Sequence, residues 1–169
     1  MRKAARYRAL DRARRKIGVR EHPPGSNRGP IIDEWNRDAG VPVGSYWCCS
    51  FVHAMYLREG VTLPGGASVG NLLAGARKNG WTVRRPLRGD LACFEFGEGA
   101  YAHDDHIGIV ERVLALRWTG GRFTGYIQTV EGNTSAQNDA TGSQSNGGGV
   151  FRRRRWLRGI SADFVRVPG

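Results

Sequence analysis

Cys48, His106, Glu131 and Asn133 are the residue types that thiol-dependent acyl transfer requires, and each stands where a local pattern begins or ends. A free thiol titrates near pH ~8.5 and is mostly protonated at neutral pH, so a nucleophilic cysteine needs an imidazole to take its proton. A carboxylate or amide must then hold that ring in one orientation. Cys48 opens a helical run in Tyr46-Trp47-Cys48-Cys49-Ser50-Phe51-Val52. The unpaired N–H groups of a first helical turn favour thiolate over thiol and could later hold an oxyanion. His106 opens an apolar strand, and Glu131 with Asn133 closes another. Two residues apart on an extended chain, these last two share a face and can address one imidazole.

Other residues compete for these roles. His103 is a second candidate base, but it belongs to the approach segment rather than to the apolar strand that would fix His106. Cys49 and His53, four apart on a helix, could be a nucleophile and base or two metal ligands; such a base has no orienter, and a zinc site wants four ligands with paired short spacings. No metal or cofactor is expected, and no closely spaced acidic run suggests calcium. Two adjacent cysteines and a lone Cys93 make a poor disulfide framework, so free thiols are expected, with Cys93 inert in an apolar strand. Asp90 reads as a turn cap. Arg152 to Arg155, between Phe151 and Trp156, could form a nucleic-acid stripe, but alternate strand residues point to opposite faces, and a solvated strand face fits better.

The elements that must position these groups are legible in the periodicities. Ala5, Ala9, Ala13 and Ile17 mark a helix over residues 3–17 with a solvated arginine-rich face, stopped by Gly18. A short helix follows Ser26-Asn27 with Pro30 in its first turn and Ile31, Ile32 and Trp35 inward, ending at Gly40. The helix over 47–59 carries Cys48, Phe51, Val52, Met55 and Glu59 along one side, with Gly60 as its stop. Ser68 caps a fourth helix that carries Val69, Leu72, Leu73 and Ala76. Strands are expected over 91–96, 106–116, 123–134, 150–155 and 164–167, with a hairpin turn at Thr119-Gly120-Gly121-Arg122 that makes the His106 and Glu131 strands neighbours. The Gly/Ser/Asn/Gln stretch over 142–149 reads as a loop. Helices first and an antiparallel sheet afterwards define an α+β fold.

Composition bounds the function. The 169 residues suit one domain over residues 1–169, and a hydrophobic content of 40% is ordinary for a globular protein. The formal net charge of +11 attracts polyanions, less so as salt screens it. The arginine-rich start lacks the apolar core of a signal peptide, and no stretch approaches the roughly 18 apolar residues of a membrane span. A chain made in the cytosol, with no membrane insertion, is the expectation.

Four blocks carry a family resemblance: the 46–52 run; Gly89-Asp90-Leu91-Ala92; Asp105-His106-Ile107-Gly108-Ile109-Val110; and Val130-Glu131-Gly132-Asn133-Thr134. In this order the chain resembles the cysteine, histidine-dependent amidohydrolase/peptidase (CHAP) domain. Residues 18–21, Ser26-Asn27-Arg28-Gly29-Pro30 and Gly149-Val150-Phe151 extend the likeness over nearly the whole chain. The resemblance implies a papain-like fold with the N-terminal helices packed on a C-terminal antiparallel sheet. It implies Cys48 as nucleophile, His106 as general base and later acid, Glu131 as its orienter and Asn133 as an auxiliary polar partner. The family pattern has a small residue after the nucleophile, where this chain has a second thiol, Cys49.

The implied function is peptidoglycan hydrolysis, as an N-acetylmuramoyl-L-alanine amidase or an endopeptidase. With no leader and no separate wall-binding module in view, the chain resembles a phage-encoded single-domain endolysin. Such a protein waits in the host cytoplasm until it is released to the wall, a monomer drawn to peptidoglycan and anionic wall polymers rather than to nucleic acid. Two alternatives stand beside this one: a basic nucleic-acid-binding protein in which the cysteine has no catalytic role, and an intracellular amide hydrolase acting on a small molecule.

Overall fold

The structure is a computed structural model that describes residues 4–96, 106–136, 146–157 and 161–169. Four helices precede the strands of the sheet: α1 (Ala5–Arg14), α2 (Pro30–Asp38), α3 (Cys48–Leu57) and α4 (Val69–Lys78). Six strands follow: β1 (Thr82–Val83), β2 (Leu91–Glu95), β3 (His106–Thr119), β4 (Arg122–Thr134), β5 (Gly149–Trp156) and β6 (Ser161–Val165). They form one antiparallel sheet in the order β1-β6-β2-β3-β4-β5. The α+β architecture is the expected one, with the short edge strand β1 added. None of the described helices is long and apolar enough to cross a membrane. Two segments fall largely or wholly outside the described residues: the 142–149 loop, up to residue 145, and the approach segment holding His103.

Local chemistry explains the boundaries. Pro30 occupies the first turn of α2, where its missing N–H costs no hydrogen bond, and the Ser68 hydroxyl accepts from the Asn71 N–H to cap α4. Gly120 and Gly121, with φ of 59° and 81°, provide the left-handed backbone of a two-residue hairpin turn that joins β3 to β4. The Asp90 carboxylate accepts from the Leu87 N–H at 2.8 Å, the expected turn cap, and also binds the Arg166 guanidinium.

Alternation along the strands divides the core in two. Leu91, Cys93, Ile107, Ile109, Val130 and Val150 pack against the helices, while Ala92, Phe94, Val110, Ile127, Leu157 and Phe164 form a second cluster. The helix carrying Cys48 departs from the one-sided pattern: every residue from Cys48 to Tyr56 is buried. A helix covered on all sides is packed among other elements, here α1, α2, β3 and β4. Glu59 lies past its end, where its carboxylate takes Arg8 and Arg12 of α1 at 2.7 Å each. Arg14 likewise reaches Glu111 at 2.8 Å, so part of the arginine face expected to be solvated instead docks α1.

Close approach of α3 to β4 requires a glycine. A Cβ on Gly132 would come within 2.8 Å of Phe51 Cβ and Cγ and of Trp47 Cζ3. Gly132→Ala should therefore cost about 1–3 kcal/mol through overpacking; urea unfolding that matches the wild type would show that α3 is not seated against β4 in this way.

Candidate active site

His106 is the first residue of β3 and is fully buried; Glu131 lies on the neighbouring strand β4, opposite Gly108, and is fully buried too. The two side chains meet, with Nε2 of His106 2.8 Å from Oε2 of Glu131. An ionised carboxylate can only accept, so Nε2 carries the hydrogen and Nδ1 is the nitrogen able to take another proton. Nδ1 makes no hydrogen bond among the described residues. The Cys48 thiol acts on the same ring. Such contacts commonly close only when a substrate is bound.

The reach from Glu131 to His106 depends on an absence. Gly108 is two residues from His106 and on the same strand face, and a Cβ there would stand 2.6 Å from Glu131 Cγ. Only a residue without a side chain lets the carboxylate lie across β3.

Burial alone would lower the pKa of His106. The charge of Glu131 opposes it, together with the interaction with the Cys48 thiol and the hydrogen bond to Glu131, and the ring is pushed up to about 9. Burial would likewise raise Glu131, but the charges of Arg155 and His106 hold its carboxyl well below the usual carboxylate range.

Cys48 and Cys49 are both buried, at 5% and 0% exposure, and differ in their place on α3 and in their partners. Cys48 is the first residue of α3, whose first turn has no side-chain cap and no acidic residue. Cys49 is wholly buried, its thiol donates to the Gly66 carbonyl at 3.4 Å, and burial first, then the neighbouring thiols of Cys48 and Cys93, raise its pKa well above the ordinary value. All three cysteines are unbridged.

Trp47, just before Cys48, is anchored by its indole N–H donating to Glu21 Oε1 at 2.9 Å. The segment bearing Glu21 is tied to β5 through Gly18 N–H to Val150 O, Val150 N–H to Val19 O and Glu21 N–H to Gly148 O.

Asn133 does not follow simple alternation from Glu131. Its φ is 53°, and the β4–β5 register shifts between Glu131 and Thr134, so a bulge re-aims the chain there. The buried carboxamide has neither its nitrogen nor its oxygen bonded among the described residues. Among the described residues there is also no group of three or more His, Cys, Asp and Glu side chains that could hold a metal.

The arginine run is the largest departure from the sequence reading. Arg152 is exposed and paired with Glu111, but Arg153 and Arg155 are buried, so the solvated strand face is only half correct. Arg155 places Nε 2.9 Å from Glu131 Oε1 and Nη2 2.5 Å from Oε2, while the Thr129 hydroxyl donates to Oε1 at 2.5 Å. The signal was present: Leu157, two residues on and just past the end of β5, is apolar and belongs to a buried cluster. An ion pair to a residue 24 positions away has no such signal.

Compared with known families, residues 40–133, more than half of the chain, match the model of the CHAP domain. No curated protein and no solved structure matches the chain. The matched span includes Cys48, His106, Glu131 and Asn133 and ends before β5.

Two outcomes test this geometry. His106 has a folded-state pKa raised above the unfolded value of about 6.5, so its contribution to stability is complete below that pH and fades as pH rises through about 9. The stability difference between wild type and His106→Gln should shrink between about pH 6 and about pH 10 in denaturant titrations; a constant difference would contradict the raised pKa. Gly108→Ala should destabilise the protein by about 1–3 kcal/mol and weaken that pH dependence, because it displaces the Glu131 carboxylate.

Proposed function

We propose, since this chain belongs to the CHAP domain family, whose members are generally hydrolases acting on peptidoglycan, that it cleaves an amide bond of the bacterial wall with Cys48 as nucleophile. The observation that carries the reading is the buried Glu131–His106 pair beside a thiol at the start of α3. In this mechanism His106 Nδ1 takes the Cys48 proton and the thiolate attacks the amide carbon. First-turn N–H groups of α3 stabilise the oxyanion. The imidazolium gives its proton to the leaving amine as the thioester forms. A water molecule, deprotonated by His106, then attacks the thioester and releases the acid and the free thiol. Glu131 holds Nε2–H throughout, and Asn133, whose amide is uncommitted among the described residues, is the auxiliary polar partner for ring or substrate.

The raised pKa of His106 supports the ring's holding the proton taken from Cys48 until the leaving amine accepts it. The hydrogen bond of the Cys49 thiol to the Gly66 carbonyl and its raised pKa support the choice of Cys48 between the adjacent thiols. The rival nucleic-acid stripe loses support, because two of its four arginines are buried and a third is paired with Glu111.

The finer reading is of a catalytic domain acting as a monomeric endolysin, held in the host cytoplasm until released, with anionic wall polymers attracted by the net charge of +11. Amidase and endopeptidase specificities both fit this chemistry.

Purified walls treated with the wild type should release new amino groups, and Cys48→Ala should reduce the rate by roughly three orders of magnitude or more, as should His106→Ala. Cys49→Ala should keep most activity. Equal loss in both cysteine variants, or loss only in Cys49→Ala, would move the nucleophile. Added salt should depress wall lysis far more than hydrolysis of a small soluble wall fragment; equal salt responses would remove the charge-targeting argument.

A further inference from the structure

Arg155 lies beyond the matched span, on β5, and acts where no local pattern would place a functional residue. Its guanidinium takes both oxygens of Glu131, at 2.9 and 2.5 Å, and Nη2 stands 3.4 Å from the Thr134 hydroxyl. The residue is 3% exposed and its partner 0%. Phe94 and Phe96 complete the enclosure: the guanidinium carbon is 5.5 and 4.8 Å from their ring centroids, and the same rings lie 6.3 and 5.8 Å from the His106 ring. One carboxylate and two aromatic rings thus connect Arg155 to the imidazole.

A carboxylate beside an imidazole does two separable things. It orients the ring by accepting Nε2–H, and its charge favours the imidazolium. A second cation bound in a fork to the same oxygens reinforces the first effect and opposes the second. We propose that Arg155 is a positioning residue for the Cys48 chemistry: its fork locks Glu131 so that one ring tautomer of His106 is selected, and its charge limits how tightly Glu131 retains the imidazolium, leaving that proton available to the leaving amine. The final step rests on the hydrolase reading; the clamp and its effect on the ring do not.

The test is NMR titration of the full chain labelled with ¹⁵N-histidine, the His106 signals being assigned by their loss in His106→Gln. Arg155→Met removes the charge at similar volume, and the His106 midpoint should rise by about one pH unit or more relative to wild type. Arg155→Lys keeps a charge but loses the fork; its midpoint should stay near wild type while the Nε2-protonated tautomer loses its dominance in the neutral ring. If Arg155→Met does not fold, Arg155→Lys decides. A folded Arg155→Met with unchanged midpoint, or Arg155→Lys with unchanged tautomer populations, would overturn the proposal. Turnover of a soluble wall fragment is measured on the same samples. A wild type without turnover whose variants show these shifts would sink the hydrolase reading and keep the clamp; an active wild type with silent variants would do the reverse.

Discussion

A carboxylate removed from water on β4, one strand in from the edge of the sheet, is the constraint around which the rest of this molecule is organised. Glu131 has no exposed surface, and an isolated charge in such a place is costly. It is tolerated because four donor atoms converge on its two oxygens: Nε2 of His106, Oγ1 of Thr129, and Nε and Nη2 of Arg155. Those donors come from three adjacent strands, β3, β4 and β5. The sheet must be in register across all three for the charge to be compensated. The same register brings Gly108 opposite Glu131, where any side chain would block the path to His106.

The second half of the site is held by the same edge strand. β5 carries Arg155, and it also bonds the 18–21 segment whose Glu21 anchors Trp47, the residue preceding Cys48. The thiol and the carboxylate are thereby referred to one piece of backbone, by different routes. On the opposite side α3 is pressed onto β4 through Gly132. In the proposed mechanism such fixed placement matters because misplacing a reacting group by about 1 Å can cost two orders of magnitude in rate.

Charge is used twice in this chain, for different ends. Many arginines dock elements: Arg8 and Arg12 on Glu59, Arg14 and Arg152 on Glu111, Arg58 on Glu34 and Asp38, Arg166 on Asp90. With 26 Lys and Arg against 15 Asp and Glu, pairing consumes the acids first and leaves a positive excess. That excess supports attraction to polyanions, a long-range effect indifferent to which arginine supplies it.

Short-range pattern determined much of this protein from sequence alone: helices 2 and 4 with Pro30 and the Ser68 cap, the Gly120-Gly121 hairpin, the pairing of the His106 and Glu131 strands, and Cys48 at a helix start. Each rests on backbone preferences within a few residues, which neighbouring side chains disclose. Tertiary structure alone decided what lies over each face. It buried α3 on every side, gave the Cys49 thiol the Gly66 carbonyl as partner, bent the chain at Asn133 by a bulge, and turned Arg155 from an apparent surface cation into the partner of Glu131. Periodicity states which residues share a face, and an apolar neighbour such as Leu157 hints that a face is covered, but ion pairing depends on residues far along the chain, and no local spacing encodes their arrival.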